Sequence, residues 1–142
     1  MRAVLPHRIA VLGGGESGIG AALLAAHRGV DVFLSEGKNL GPGYRAELEA
    51  AGIPFEEGQH SIDQLLTAEA VVKSPGIPPS HPVVAALKQA GVPIWSDIEW
   101  FYQNCPTHAK IAAITGSNGK TTTTSWLGHI LRQAGANVQV GG

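Results

Sequence analysis

The stretch "RIAVLGGGESGIGAALLAAHRG", residues 8–29, decides the fold because it joins a short apolar run to a glycine loop and a helical pattern. The run "RIAVLG" (8–13) predicts a buried strand, and "GIGAALLAAHRG" (18–29) predicts the helix that follows it. A second apolar run, "VDVFLSE" (30–36), predicts the next strand. Strand, glycine loop, helix and strand in this order are typical of a parallel sheet covered by helices.

The same alternation continues along the rest of the chain. Further strands are predicted at 53–58, 69–76, 92–96, 110–116 and 137–140, and further helices at 41–52, 61–68, 80–91, 97–104 and 119–135. We therefore expect an α/β fold, with a Rossmann-like, mostly parallel sheet and helices on both faces, followed by the truncated start of a second domain.

A break at "NCPTHAK" (104–110) has a proline and no apolar period, so it predicts a domain boundary. We expect a Rossmann-like domain over residues 1–105 and the beginning of a second domain over residues 106–142. A single strand–helix–strand unit cannot bury both faces of its strand, so the second part is expected to open a larger domain.

Composition limits the classes of function that the chain can have. Hydrophobic residues make up 44% and charged residues 15% of the 142, which predicts a packed core. A net charge of −1 without a basic run argues against nucleic-acid binding, and no apolar stretch approaches a membrane span. One cysteine, Cys105, excludes an internal disulfide and fits a reducing, cytoplasmic location. The three tryptophans, Trp95, Trp100 and Trp126, are predicted to serve core or inter-domain packing.

The strongest functional signal is a phosphate loop at "GSNGKTT" (116–122), between a predicted strand and a predicted helix. The general pattern G-x-x-x-x-G-K-[ST] lacks its first glycine here, because Ile114 stands at that position. Lys120 can reach the β- and γ-phosphates of a nucleotide, and the hydroxyl of Thr121 is placed to bind Mg²⁺. The candidate ATP-phosphate residues are Gly116, Ser117, Asn118, Gly119, Lys120, Thr121 and Thr122. We therefore expect the second part of the chain to be the truncated start of a P-loop ATPase domain.

A second signal is the G-x-G-x-x-G pattern of Gly13, Gly15 and Gly18 in "GGGESG", followed by Glu36 at the end of the second strand. This is the dinucleotide fingerprint, in which a diphosphate approaches a helix N-terminus and an acidic residue grips a ribose hydroxyl.

The turn "KSPG" (73–76) follows a strand and could offer backbone N–H groups to a ligand, although an ordinary turn is the alternative. His60 and His81 lie near strand ends, where they could touch a ligand.

The loop "TGSNGKTT" (115–122) resembles that of the Mur ligases and their folylpolyglutamate synthetase relatives, and so does a first domain that carries "GGGESG". "SPG" followed by "HP", and then "DIEWF" (97–101), is similar to the branch of the family that adds D-glutamate. The resemblance covers the whole chain.

The resemblance implies that the first domain holds a UDP-sugar and not NAD. The implied UDP-sugar-binding residues are Gly15, Glu16, Ser17 and Gly18 at the diphosphate, Glu36 and Lys38 near the uracil, and Ser74, Pro75 and Gly76 along the nucleotide-sugar. Glu36 stands where the resemblance leads us to expect aspartate. The charge of Glu16 would oppose a diphosphate, so its side chain is expected to point away.

The implied reaction belongs to peptidoglycan precursor synthesis. ATP phosphorylates the carboxylate of UDP-N-acetylmuramoyl-L-alanine, and the amine of D-glutamate then attacks the acyl phosphate. Lys120 would stabilise the transferring phosphoryl group and Thr121 would hold Mg²⁺, so Lys120→Ala is expected to slow the reaction on the order of 10²-fold or more.

Members of this family continue past residue 142, so the chain is expected to be an inactive fragment whose further Mg²⁺ ligands and D-glutamate site lie elsewhere. The apolar face at "WLGHIL" (126–131) is expected to pack on the first domain or to self-associate with a neighbouring molecule.

Two alternatives stay open. One is a sibling ligase that adds another amino acid. The other is a non-catalytic module in which "GGGESG" binds NAD, against which the phosphate loop argues.

Overall fold

A five-stranded parallel sheet forms the centre of the first part of the computed structural model, which describes residues 5–106 and 108–141. The strands are β1 (Arg8–Leu12), β2 (Asp31–Glu36), β3 (Phe55–Glu57), β4 (Ala70–Lys73) and β5 (Ile94–Ser96). Their order is β3-β2-β1-β4-β5, and every neighbouring pair is parallel. The predicted Rossmann-like sheet is confirmed.

Helices cover both faces of this sheet. They are α1 (Glu16–His27), α2 (Pro42–Ala50), α3 (Ile62–Leu66), α4 (Pro82–Gln89) and α5 (Asp97–Asn104). Each predicted helix before residue 105 is present, and the ends differ by a few residues. α4 illustrates why: Pro82 starts it and Gly91, with a φ of 73°, follows its end.

β1 divides the core into two clusters by the alternation of its side chains. Ile9 and Val11 join one cluster with residues of α1, α2 and α5, whereas Ala10 and Leu12 join the other with residues of α3 and α4. The strand is therefore buried on both faces from Ile9 to Leu12, which explains the unbroken apolar run of these four residues.

Trp100 anchors α5 in the first of these clusters. Its side chain is 1% exposed, its Nε1–H donates to the carbonyl of Ala21 at 3.1 Å, and its ring stacks on Trp95 with 6.0 Å between centroids. The predicted packing role of these two tryptophans agrees with this arrangement.

The chain divides into two compact units, Met1–Cys105 and Pro106–Gly142. In the described part of the second unit the regular element is one helix, α6 (Lys120–Gln133), which confirms the helix predicted at 119–135. Residue 107, inside the predicted boundary at 104–110, lies outside the described residues.

The strands predicted at 110–116 and 137–140 are wrong for this structure, since both segments are irregular. A strand needs a neighbour to accept and donate its backbone hydrogen bonds, and no described residue pairs with either segment. The second segment instead lies along α6, where a Cβ on Gly128 would be 2.5 Å from Val140 Cγ2.

The third tryptophan, Trp126 on α6, is 71% exposed, which does not match a core position.

Among the described residues, no helix combines the length and the apolarity that crossing a bilayer requires.

Candidate functional site

The order in which the strands follow one another reverses between β1 and β4. Open parallel sheets bind ligands in the crevice at such a point. Gly13 follows β1, and its N–H donates to the carbonyl of Ser35 at 2.9 Å. Ser74 follows β4, and its N–H donates to the carbonyl of Leu12 at 2.9 Å. The structure therefore brings the glycine loop, the end of β2 and the start of the "SPG" turn to one edge of the sheet.

Two glycines of the G-x-G-x-x-G pattern are required by close packing within the protein. Gly13 has a φ of 104°, and a Cβ there would lie 2.7 Å from the Cβ of Ser74. A Cβ on Gly18 would lie 1.9 Å from the carbonyl oxygen of Gly13. These contacts press the start of α1 against the loop.

Gly15 is different, because no protein atom explains its missing side chain. Its φ of −75° suits any residue, it is exposed, and a Cβ there would meet nothing within 4 Å. The space in front of Gly15 is therefore open to a ligand that needs to approach the backbone closely.

The N-terminus of α1 faces solvent beside Gly15. The first hydrogen bond of the helix runs from the Ile19 N–H to the Gly15 carbonyl at 2.9 Å, so the N–H groups of Glu16, Ser17 and Gly18 have no acceptor within the helix. Their positive ends, together with the helix dipole, would favour an anion at this helix start, which we call the first candidate cradle. α1 begins at Glu16, which places Gly15 at its N-cap and the other three predicted diphosphate residues in its first turn.

Glu36 ties the end of β2 to the glycine loop. One carboxylate oxygen accepts the Gly14 N–H at 2.6 Å, and the other accepts the Lys38 N–H at 2.8 Å. The carboxylate thus orients two backbone groups, and the longer arm of glutamate is what reaches the loop. The Lys38 side chain is exposed beside it.

Lys73 organises the turn that follows β4. Its Nζ donates to the carbonyl of Ser74 at 3.0 Å and to that of Ile77 at 2.8 Å, and the Ile77 N–H also donates to Ser74 at 3.2 Å. The turn is closed from beneath, and Pro75 and Gly76 remain exposed on it.

A polar network at the ends of β2 and β3 escaped the sequence interpretation. Ser35 is fully buried, its hydroxyl donates to Glu56 Oε1 at 2.7 Å, and it lies 2.7 Å from Nδ1 of His60. Glu56 also accepts the N–H of Ser61 at 2.7 Å and the Ser61 hydroxyl. A serine near the end of an apolar strand is the one signal that could have indicated it, since buried hydroxyls need partners.

This network shifts the acidity of two of its members. Burial alone would raise the pKa of Glu56, but hydrogen bonds from Ser61 and Ser35 outweigh it and hold that pKa below its ordinary value. Burial and the nearby His81 lower the pKa of His60. The two imidazole rings meet edge to face, with centroids 5.6 Å apart.

The second cradle is the loop before α6. Gly119 is the N-cap of α6 in the left-handed conformation, with a φ of 75°, and the Thr123 N–H makes the first helical bond to its carbonyl at 2.9 Å. The N–H groups of Lys120, Thr121 and Thr122 precede that bond, and the ammonium of Lys120 donates to the carbonyl of Gly116. Loop and helix start are exposed throughout residues 115–123.

The hydroxyl of Thr121 is an oxygen ligand of the kind that Mg²⁺ accepts, so it fits one position of a magnesium site. The described residues contain no group of three or more His, Cys, Asp or Glu side chains arranged to hold a metal. Thr121 would supply one hydroxyl, and phosphate oxygens and waters, which Mg²⁺ ordinarily keeps, would supply most of the rest.

Comparison with known families gives two matches along the chain. The Mur ligase MurD-like N-terminal domain matches residues 7–96, and the Mur ligase middle domain matches residues 114–142.

Curated relatives agree with these families. A protein of Cytophaga hutchinsonii is 46% identical over 97% of this chain, and one of Bacteroides fragilis is 50% identical over 95%. Both carry the name UDP-N-acetylmuramoylalanine–D-glutamate ligase. The chain spans about 30% of their length, 31% and 30% respectively.

Solved structures agree as well. The UDP-N-acetylmuramate:L-alanyl-gamma-D-glutamyl-meso-diaminopimelate ligase of Neisseria meningitides has a TM-score of 0.68 at 29% identity, over 92% of this chain and 41% of its own. A murein peptide ligase of Psychrobacter arcticus gives 0.68 at 30% identity, over 91% and 27%.

Proposed function

Since this chain belongs to the Mur ligase family, we propose that it supplies the UDP-sugar cradle and the ATP-phosphate loop of a ligase that adds D-glutamate to UDP-N-acetylmuramoyl-L-alanine. In this proposal residues 1–105 bind the nucleotide-sugar, and residues 106–142 begin the domain that binds ATP. The product is a precursor of peptidoglycan, and the reaction takes place in the cytoplasm, where ATP is available.

The open face of Gly15 is the observation that carries the nucleotide-sugar half of the proposal. A diphosphate placed there would accept hydrogen bonds from the free N–H groups of Glu16, Ser17 and Gly18. The Glu16 side chain is exposed at the helix start, where it has room to turn towards solvent. Glu36 and Lys38, at the neighbouring strand end, are then the residues that we assign to the uridine.

The turn at residues 74–76 lies on the other side of the glycine loop. Ser74 touches Gly13, and Lys73 fixes the turn through two carbonyl groups. We assign Ser74, Pro75 and Gly76 to the part of the nucleotide-sugar that leaves the cradle, because these residues are partly or fully exposed at the same edge of the sheet.

The ATP half of the proposal depends on the loop from Gly116 to Thr122. Its backbone N–H groups would bind the phosphates, Lys120 would neutralise charge on the transferring phosphoryl group, and Thr121 would contribute one oxygen to Mg²⁺. Mg²⁺ bound with the nucleotide supplies further neutralisation of phosphate charge. Lys120 would leave its contact with the Gly116 carbonyl to do this.

The chemistry joins an acid to an amine. The γ-phosphoryl group passes to the carboxylate of UDP-N-acetylmuramoyl-L-alanine, and the amine of D-glutamate then displaces phosphate to give an amide, ADP and phosphate. The described residues contribute alignment and charge neutralisation. The choice of D-glutamate rests on the names of the relatives, since none of the described residues is assigned to it, and we propose that residues 1–142 hold only part of the active site.

Ligand-dependent stability of the 142-residue chain tests the nucleotide-sugar half. UDP-N-acetylmuramoyl-L-alanine at a hundredfold excess over its Kd should raise the free energy of unfolding by about 2.7 kcal/mol, and NAD should leave it unchanged. Gly15→Leu should abolish the stabilisation by filling the open face, whereas Gly43→Leu, at an equally open and exposed glycine of α2, should retain it.

Stabilisation by NAD, or a lack of stabilisation by the UDP-sugar, would exclude the proposed ligand.

The self-association expected from α6 stays a prediction that sedimentation velocity can test. Trp126 and Ile130 on this helix are 71% and 59% exposed.

A further inference from the structure

His60 occupies the point where the end of β2, the end of β3 and the start of α4 meet. It contacts Ser35 of β2, it approaches Gly37 just beyond that strand, and its ring meets that of His81 at the N-cap of α4. We propose that His60 is a positioning residue of the nucleotide-sugar site, which acts by fixing the turn of residues 36–38. This inference rests on the function proposed above.

The hydrogen bonds define how the imidazole is held. The single hydroxyl hydrogen of Ser35 is donated to Glu56, so the Ser35 oxygen must accept the hydrogen on Nδ1 of His60. Glu56 is in turn fixed by both polar groups of Ser61. This chain of bonds leaves Nε2 as the free nitrogen of the ring.

The free edge of the ring lies against the turn that follows β2. A Cβ on Gly37 would be only 2.8 Å from Nε2 of His60, so the ring and the turn are in close contact. His81 covers the ring from another side, and its own Nδ1 accepts the Val83 N–H at 3.4 Å. His60 therefore cannot move away from Gly37 without breaking contacts on two further elements.

The turn fixed in this way carries the carboxylate that orients the cradle. Glu36 precedes Gly37, and it grips the N–H groups of Gly14 and Lys38. A shift of the turn would move this carboxylate relative to the glycine loop. His60 thus influences the bound nucleotide through Gly37 and Glu36, without being placed in contact with it.

Substitution of His60 tests the inference, because the replacements should differ in how much of the UDP-sugar binding they retain. Binding of UDP-N-acetylmuramoyl-L-alanine would be measured by calorimetry, at a temperature where every variant is shown to be folded. His60→Ala should weaken binding about tenfold, which is within the usual size of the coupling between two residues that contact each other, here His60 and Gly37. His60→Asn should recover most of this, because its amide N–H replaces Nδ1, whereas His60→Gln places its amide at the position of Nε2 and should not.

Gly37 offers an independent approach from the other side of the contact. Gly37→Ala should weaken binding when His60 is present, because the added methyl group displaces the ring or the turn. In the His60→Ala background the same change should have little effect, since the space is then free. Strictly additive effects of the two substitutions would overturn the proposed contact.

The outcomes separate this inference from the proposed function. If the unsubstituted chain fails to bind the UDP-sugar, the proposed function is wrong and this inference with it. If the unsubstituted chain binds while every His60 variant keeps the same Kd and only loses thermal stability, the positioning role alone is wrong.

Discussion

The chain has two junctions between a glycine loop and a helix, Gly13–Glu16 and Gly116–Lys120. In both, the helix begins directly after a glycine, but the surroundings of the two junctions differ. At the first, the loop amides are tied to β2 and Glu36, and Gly18 presses on Gly13. At the second, the loop is exposed, and the ammonium of Lys120 closes it onto Gly116. A helix start after a glycine loop is therefore a local feature of the chain, whereas the contacts that hold the first loop in place come from the neighbouring strand β2.

A comparison of two tryptophans should give the largest difference between the units. Trp100→Ala removes a ring that is 1% exposed, stacked and hydrogen-bonded, so it should lower the free energy of unfolding by about 3–5 kcal/mol. Trp126→Ala removes a ring that is 71% exposed and should change it by less than about 0.5 kcal/mol. Urea unfolding followed by far-ultraviolet circular dichroism measures both.

Should Trp100→Ala prevent folding altogether, Trp100→Phe keeps part of the ring and should show a smaller loss. A loss at Trp126 as large as that at Trp100 would mean that α6 is packed in solution, and the contrast between the units would be false.

The second junction should bind nucleotide without contributing to stability. Lys120→Ala should weaken binding of Mg²⁺-ATP by about tenfold or more, because a hydrogen bond to a charged group contributes about 1.5–3 kcal/mol. The free energy of unfolding should stay the same, since the side chain is exposed. Lys110→Ala, at another exposed lysine of the same unit, is the matched control. Equal weakening by both substitutions would indicate a general charge effect and not a specific contact.

At the first junction, substitutions should also change the free energy of unfolding. Gly18→Ala would place a methyl group 1.9 Å from the Gly13 carbonyl and should cost about 1–3 kcal/mol of unfolding free energy. Gly20→Ala, two residues further along α1 where the space is open, should instead stabilise the chain by up to about 1 kcal/mol. Thermal unfolding of the two variants compares them directly, and similar stabilities would contradict the close approach of helix and loop.

The elements that the sequence predicts well are those with local causes. The glycine loops and helix starts were recognisable because their residues are adjacent in the chain. The prediction of strands at 110–116 and 137–140 is wrong because a strand also depends on a neighbouring strand, and the described residues provide none for these segments. An apolar run alone does not say which chain segment will pair with it.

The candidate site shows the same limit. Gly15 and Glu36 could be proposed from motif spacing and Glu16 from the family resemblance, but the bond from Gly14 to Glu36 spans 22 residues. The contacts from Ser35 to Glu56 and His60 span 21 and 25 residues. Such pairs become visible only when the order of the strands is known, because the pairing of β1 with β2 brings Gly14 to Glu36 and the pairing of β2 with β3 brings Ser35 to Glu56.

Lowering the pH should reveal this network, which lies in the first unit, through a small loss of the free energy of unfolding. The pKa values of Glu56 and His60 are both lowered by folding, so the unfolded chain binds more protons than the folded chain over the pH range between the two values of each group. The contribution of His60 to the free energy of unfolding is therefore complete above its ordinary pKa of 6.5. It is lost as the pH falls through the lower pKa that His60 has in the folded chain. The contribution of Glu56 is complete above 4.5 and is lost at lower pH in the same way.

The free energy of unfolding should therefore fall in two stages as the pH is lowered, and variants can assign each stage. His60→Asn cannot titrate, so it should flatten the stage that begins below pH 6.5. Ser61→Ala removes one hydrogen bond to Glu56, so the folded pKa of Glu56 should rise and the stage below pH 4.5 should shrink. Urea titrations at a series of pH values measure both stages. If both variants keep the full acid response of the unsubstituted chain, other groups cause it, and the network does not distinguish the first unit from the second.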